Sequence, residues 1–392
     1  MNLVPYPKNI DNATKWDFKF WSTQPVTKLN ENIIVDTDSG ITNTLQDSLP
    51  DSLPENFEWK NYNLSDLGQR TKILVFLNKF YGTDINNEFS KQYSENYLEF
   101  ISNNRTYVAV GVEHKDTIIG FIYGFVTKTQ VNRKQLDLVE VSLLCIHSKL
   151  RYKRLTPKLI LELKRQFNVL GYNYGTFSTV NYVAKPFTSS IAFNRIISAK
   201  ILIDTEFVKL DKTITLESVK KVSFLPDKPS HVGFKKMEES HVDQAFDLFT
   251  EYIQKYNYHP IYTKDSFKME FYNNKFINTY VMTDKNGNVT DFISYYTLNV
   301  TVLKKNQKYK NIKRGYLYYY TCVNSTPYKL LQNVLIMAKK YGTDVFTALD
   351  NMENTYVLKE LGFDESPTTY HLYTYNFKIP NLQNVQVAKT FL

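Results

Sequence analysis

Four cations, Lys149, Arg151, Lys153 and Arg154, stand immediately before Thr156-Pro157, a pair suited to an N-cap and the first residue of a helix. Ahead of them Val139, Val141 and Leu143 alternate with Glu140 and Ser142, a strand pattern that breaks where Leu144 follows Leu143. Two apolar residues in succession predict a β-bulge, which releases backbone N–H groups from the ladder. N–H groups freed and aimed in this way can stabilise the oxyanion of an acyl transfer. Cations, unpaired amides and a helix dipole converging on one loop can also hold phosphate. An ordinary strand-to-helix turn with solvated lysines has the same spacing, so the residue types leave both readings open.

The elements that must position this loop can be read on either side of it. After Pro157, a helical stripe of Leu159, Ile160, Leu163, Phe167 and Leu170 ends at Gly171, which suits C′. Upstream, residues 64–80 have helical spacing, and residues 106–112 and 117–126 form two strands around His114, Lys115 and Asp116. The order recurs downstream: a helix within residues 231–256, a hairpin of 279–283 and 289–298 around Asn286-Gly287, and a strand over 317–323. Thr326-Pro327 then opens another helix ending near Gly342. The two Thr-Pro starts lie 170 residues apart, which predicts duplication of one α+β unit. The copies differ where chemistry belongs, since CVNSTP carries none of the cations of SKLRYKRLTP.

A chain of 392 residues suffices for two such units. No apolar run approaches the roughly 20 residues of a membrane span, and MNLVPYPKN has no basic-then-apolar leader, so a cytosolic location without stable membrane insertion is expected. Cys145 and Cys322 both lie in strand-like context and make no disulfide framework. A net charge of +9 admits nucleic acid, anionic membrane or phosphorylated ligands. Lysines spread along the chain without a nucleic-acid motif argue against the first. The histidines form neither HExxH nor a cluster with Cys-x-x-Cys, so no metal site is expected.

VEVSLLCIHSKLRYKRLTP closely resembles the signature of the N-myristoyltransferases. FWSTQPV near the N-terminus, VTDFISYYTL at 289–298 and GTDVFTALDNMEN at 342–354 resemble further segments of that family, in the same order. The resemblance implies two tandem acetyltransferase-like (GNAT) units related by an internal pseudo-twofold, in one saddle-like molecule. It implies an extended arm over 1–55, an acyl-CoA-binding half over 56–220, and an acceptor-peptide half over 221–392. No prosthetic group is implied. The acyl donor is myristoyl-CoA, and the acceptor is the N-terminal glycine of substrate proteins.

Residue by residue, the resemblance assigns Lys19, Phe20 and Trp21 to the nucleotide end of the acyl-CoA. Leu143 and Leu144 would supply oxyanion-hole amides within a segment that continues through Cys145 and Ile146. Arg151, Tyr152, Lys153, Arg154, Leu155, Thr156 and Pro157 would hold the CoA phosphates. Ser142 and Ser178 would orient the amine, and the terminal carboxylate of Leu392 would take its proton. Cys145, inside an apolar strand, is expected to be an inert thiol.

Several positions depart from the family. Ser142 stands where Asn is common, Ser178 where Thr is, and Phe193-Asn194-Arg195 lacks a His. The acidic loop that receives basic peptides is reduced to Tyr81-Gly82-Thr83-Asp84. The family's glycine is missing from the tail VQVAKTFL. A monomer is expected. Another GNAT-type acyltransferase with a different acyl chain or acceptor, or a non-catalytic binder of acyl-CoA or lipidated peptides, are the alternatives that these departures keep in view.

Overall fold

The computed structural model describes residues 6–38, 49–83, 87–151, 153–209, 215–304 and 308–390. In chain order, strand β1 (Phe57–Asn61) leads to helix α1 (Leu67–Phe80), then to strands β2 (Tyr107–His114), β3 (Thr117–Val131) and β4 (Lys134–Ile146). Helix α2 (Leu155–Val169) and strands β5 (Tyr174–Thr179) and β6 (Thr188–Ile196) follow. Later in the chain, among shorter elements, come β7 (Phe234–Lys236), α3 (Val242–Ile253), α4 (Lys264–Phe271), β8 (Ile277–Thr283), β9 (Val289–Val302), β10 (Asn311–Cys322), α5 (Pro327–Lys340), β11 (Val345–Leu349) and β12 (Asp364–Tyr375).

Two compact units form, and neither is a single stretch of chain. The first is Met1–Tyr81, Ile101–Ser190 and Thr368–Gln383; the second is Gly82–Phe100, Ile191–Pro367 and Asn384–Leu392. A cut near residue 220 therefore falls inside the second unit. The reason is in the strands: β12, from the end of the chain, pairs antiparallel with β5, and β6, from its middle, pairs antiparallel with β11.

In the first unit the order is β1-β2-β3-β4-β5-β12, antiparallel throughout except for β4 with β5, which are parallel. In the second it is β7-β8-β9-β10-β11-β6, again with one parallel pair, β10 with β11. Each parallel pair is joined by a crossover helix, α2 or α5, as a parallel connection requires. The duplication read from the Thr-Pro spacing is thus a duplication of topology.

Helix α1 begins later than its apolar spacing suggests, because the Asp66 carboxylate caps the Gln69 N–H at 2.9 Å. The helix expected within 231–256 is shorter than that window. Gly233 passes so close to Thr283 that a Cβ would lie 2.3 Å from its carbonyl oxygen, and Phe234–Lys236 then joins the sheet as β7. The core of the first unit is aliphatic: Val108, Val110, Val112, Ile119, Ile122 and Val139 under Leu159, Leu163 and Phe167 of α2. Gly124 on β3 admits that helix, since a Cβ there would meet the Phe167 ring at 2.8 Å. The core of the second is aromatic, with Phe249 of α3 touching the rings of Phe267, Phe271, Phe292 and Tyr319 at 5.5 to 6.0 Å.

The exchange of β12 has a testable consequence. A fragment of residues 1–220 lacks the strand that covers β5 and loses the stacked Phe177–Tyr373 pair, 5.0 Å between centroids. It should show no cooperative thermal transition by circular dichroism, while the whole chain does. A sharp two-state melt of the fragment would contradict this.

Candidate active site

The first unit carries the site, and it begins at the bulge. Along β3 and β4, Phe121 opposes Cys145 and Tyr123 opposes Ser142, so one residue of β3 faces two of β4, Leu143 and Leu144. Leu143 has φ +53°, a left-handed conformation for a residue with a γ-branched side chain. On its other edge β4 pairs with β5 only from Leu138 with Tyr174 to Val141 with Phe177. Beyond that point the two strands part, one residue before the bulge. Neither Leu143 nor Leu144 has an opposed residue in the register of either ladder.

A cavity of about 360 Å³ opens where the strands separate. Its walls include Ser142, Leu143 and Leu144 of β4, Phe177, Ser178 and Thr179 of β5, Ile160, Leu163 and Phe167 of α2, and Trp21. Trp21 stacks on Phe177 at 4.9 Å and 16°, and Phe177 on Tyr373 of β12 at 5.0 Å and 18°. The arm that carries Trp21 is held in shape by Lys28, whose Nζ donates to the carbonyls of Trp21, Ser22 and Gln24 at 3.0, 2.8 and 2.7 Å. A second cavity, about 400 Å³, lies behind the arm and shares Trp21 and Val183 with the first. Lys19 and Phe20 line neither cavity, although Phe20 packs edge-on against Trp21 at 5.1 Å.

Helix α2 starts two residues earlier than Thr156-Pro157 suggests. Arg154, at φ +61°, occupies the N-cap with no side-chain hydrogen bond, and Leu155 is the first helical residue. Pro157 is tolerated there because first-turn N–H groups have no intrahelical acceptor. Thr156, which does not cap the helix, lines the cavity. Lys149, Lys153 and Arg154 are exposed at this uncapped start. Arg151 is partly committed, since its guanidinium donates to the Phe80 carbonyl at 2.6 Å.

That contact brings in Lys79, in the last turn of α1, which the sequence reading missed; nothing in the chain's local pattern links it to a loop 70 residues on. Its charge, with those of Lys149 and Arg151, adds to partial burial in holding the His147 imidazole below its ordinary pKa. Burial pushes the Cys145 thiol up to about 12, with the Arg151 charge opposing. That shift favours the neutral thiol at pH 7, in keeping with an inert cysteine. Cys145 and Ile146 are buried in the strand and do not reach the cavity wall; neither do Arg151, Lys153, Arg154, Leu155 and Pro157, which flank it. Tyr152 and Leu392 lie outside the described residues.

The second unit repeats this geometry and closes it. Its β9–β10 ladder has the same irregularity, Ile293 opposing Tyr320 and Tyr295 opposing Leu317, which puts a bulge at Tyr318-Tyr319. There the Ser294 hydroxyl accepts the Tyr319 N–H at 3.1 Å and donates to the Tyr319 carbonyl at 2.8 Å. Counting from the bulge, the first-unit counterpart of Ser294 is Ile122, which is apolar and fully buried. Helix α5 is likewise capped, the Thr326 hydroxyl accepting the Lys329 N–H.

The end of the chain is threaded through the second unit as far as it is described. Ala388 and Thr390 are buried, the Ala388 N–H donates to the Tyr258 carbonyl at 2.8 Å, and the Asn351 side-chain amide donates to the Lys389 carbonyl. Among the described residues the one cluster with metal-ligand spacing is Glu58, Glu113 and Asp116. Glu113 in it is already engaged by Lys72 and by the Tyr62 hydroxyl, at 2.6 and 2.7 Å. A lysine bound to the same carboxylate oxygen fits an ion pair better than a cation site.

Parallel strands that part beside a bulge, next to an uncapped helix rimmed with cations, are the arrangement by which GNAT-like acyltransferases receive acyl-CoA. Residues 36–190 match the N-terminal domain of myristoyl-CoA:protein N-myristoyltransferase, and residues 204–391 match its C-terminal domain. The chain belongs to the N-myristoyltransferase family. It is 30% identical over 398 residues to a probable glycylpeptide N-tetradecanoyltransferase of Caenorhabditis elegans, covering 99% of this chain and 88% of that protein. Against glycylpeptide N-tetradecanoyltransferase 2 of Danio rerio the identity is 32% over 391 residues, 97% of this chain and 78% of the relative. Saccharomyces cerevisiae N-myristoyltransferase with bound myristoyl-CoA superposes with a TM-score of 0.89 at 27% identity, over 96% of this chain and 99% of that one.

The histidine in the basic loop reports on what binds there. Its depressed pKa means that the free protein's His147 titrates below about 6.5. Phosphates placed among Lys79, Lys149 and Arg151 would offset those charges and move the midpoint up. NMR titration of the imidazole with and without CoA should show that rise, and an unchanged midpoint would put the phosphates elsewhere.

Proposed function

We propose that this acyltransferase moves myristate from myristoyl-CoA to the N-terminal glycine amine of proteins, in a single direct displacement at the bulge of β4. The observation that carries the reading is the coincidence, in one cavity wall, of the unpaired Leu143-Leu144 bulge with the parting of β4 from β5. The acyl-CoA would lie in that gap, its phosphates against the start of α2 and the cations of residues 149–154. Its thioester carbonyl would sit at the bulge amides. As the amine nitrogen attacks, the carbonyl oxygen gains charge, and donors fixed in place beforehand stabilise it without reorganising. The C–N bond forms, the C–S bond breaks, and CoA leaves as a thiolate that is then protonated.

The proton lost by the amine needs only a weak base. An α-amino group of pKa about 8 is already about one-tenth neutral at pH 7. Ser142 and Ser178, both in the cavity wall, would orient it by hydrogen bonds. The resemblance assigns the base to the terminal carboxylate of Leu392. A carboxylate is intrinsically weak for that task, and desolvation opposite an ammonium makes it more basic. Glycine is required sterically, because a side chain on the attacking residue would obstruct approach to a carbonyl held within a strand gap.

An assay with myristoyl-CoA and paired peptides beginning with Gly or Ala tests the reading. The Gly peptide should be acylated and the Ala peptide not. Acylation of both, transfer of acetyl rather than myristoyl, or binding without turnover would each select another function. For the base, adding residues after Leu392 should lower kcat by about 10² to 10⁴, the usual scale for losing a general base, with little change in myristoyl-CoA affinity. Full activity in the extended protein would remove Leu392 from the mechanism.

A further inference from the structure

The loop before α2 has a counterpart in the second unit, residues 323–326 between β10 and α5. Counting from the two bulges, Phe121 corresponds to Ile293, and two residues earlier Ile119 corresponds to Asp291. Asp291 is fully buried. Its Oδ1 accepts three successive backbone N–H groups, those of Val323, Asn324 and Ser325, at 2.8, 3.1 and 3.1 Å. Successive amides converging on one oxygen form an anion nest, and the dipole of the 14-residue helix that follows reinforces it. The other oxygen, Oδ2, is buried and has no hydrogen-bond partner.

A carboxylate inside a protein is costly unless donors surround it. These donors are backbone amides of a strand-to-helix loop, the groups that in the first unit stand beside the cations. In the first unit the corresponding side chain, Ile119, offers no acceptor; its backbone carbonyl takes the His147 N–H at 2.8 Å, and within the loop the His147 ring takes only the Lys149 N–H, at 3.2 Å. The second-unit loop is also shorter, with no cation between Cys322 and Lys329.

We propose that Asp291 is a built-in anion occupying the second unit's counterpart of the acyl-CoA phosphate site. This chain therefore holds acyl-CoA in one unit only, and the other keeps a latent nest for a phosphate-like oxyanion. The inference rests on reading the first-unit loop as the phosphate site. It extends to the whole closed geometry: the Ser294 hydroxyl fills the bulge, the Thr326 hydroxyl caps the helix, and Asp291 fills the loop between them.

Thermal midpoints measured across a titration of inorganic phosphate test it on the full chain. The wild type supplies the baseline response, including any phosphate bound at the first-unit loop. Asp291→Ala should melt several degrees lower and recover saturably with phosphate, by more than the wild type gains, as linkage requires of a ligand bound only by the folded state. Acetate should give a similar recovery by replacing the lost carboxylate. Asp291→Asn keeps the shape and one acceptor without the charge; it should also melt lower, with a phosphate response no larger than that of the wild type.

Equal phosphate responses in Asp291→Ala and wild type would overturn the proposal, as would an unchanged midpoint in either variant. If Asp291→Ala yields no folded protein, the midpoint of Asp291→Asn decides alone, and equality with the wild type overturns it. These readouts concern folding only, so they succeed or fail independently of peptide acylation by the wild type.

Discussion

One inserted residue in β4 shapes the candidate site of the first unit. Where Leu143 turns to positive φ the ladder with β3 slips, and one residue earlier the ladder with β5 has already stopped. Two backbone segments that would otherwise have satisfied each other are left facing a cavity. A buried amide without a partner costs roughly 1 to 3 kcal/mol, so such a gap persists only where water or a ligand can take the bonds. The cavity gives that access, and the aromatic stack of Trp21, Phe177 and Tyr373 sets one of its walls.

The second unit is the control for this argument, since it has the same strand order, the same parallel pair and the same bulge. Where the first unit has the apolar Ile122 at the bulge, a helix start without a side-chain cap and one loop amide held by His147, the second has Ser294 at the bulge, Thr326 at the helix start and Asp291 holding three loop amides. A fold that supplies free amides and a helix terminus does not by itself make an acyl-CoA site. The difference lies in whether the neighbouring side chains satisfy those groups or leave them for a ligand.

Some of this was legible in the sequence, and for local reasons. Leu143-Leu144 breaks a period of two, and a bulge is one way in which a strand accommodates that. Gly171 and Gly342 mark the ends of α2 and α5 because both need positive φ, +88° and +76°. Thr326-Pro327 is a helix start as read, whereas Thr156-Pro157 is not, because Arg154 in the left-handed region advances the helix into a position where the threonine has no capping role. What escaped the sequence is what depends on distant partners. The exchange of β6 and β12 leaves no local trace, since a strand's own residues do not name the strand beside it. Lys79 joins the basic loop, and Trp21 meets Phe177, only through tertiary packing.

The proposed mechanism depends most directly on the placement of the reacting carbonyl. A crystal structure of the chain with a non-hydrolysable myristoyl-CoA analogue should place the oxygen equivalent to the thioester carbonyl about 2.7 to 3.1 Å from the backbone nitrogens of Leu143 and Leu144. Its phosphates should lie at the start of α2. An acyl-CoA bound with its carbonyl away from the bulge, or seated in the second unit, would contradict the account.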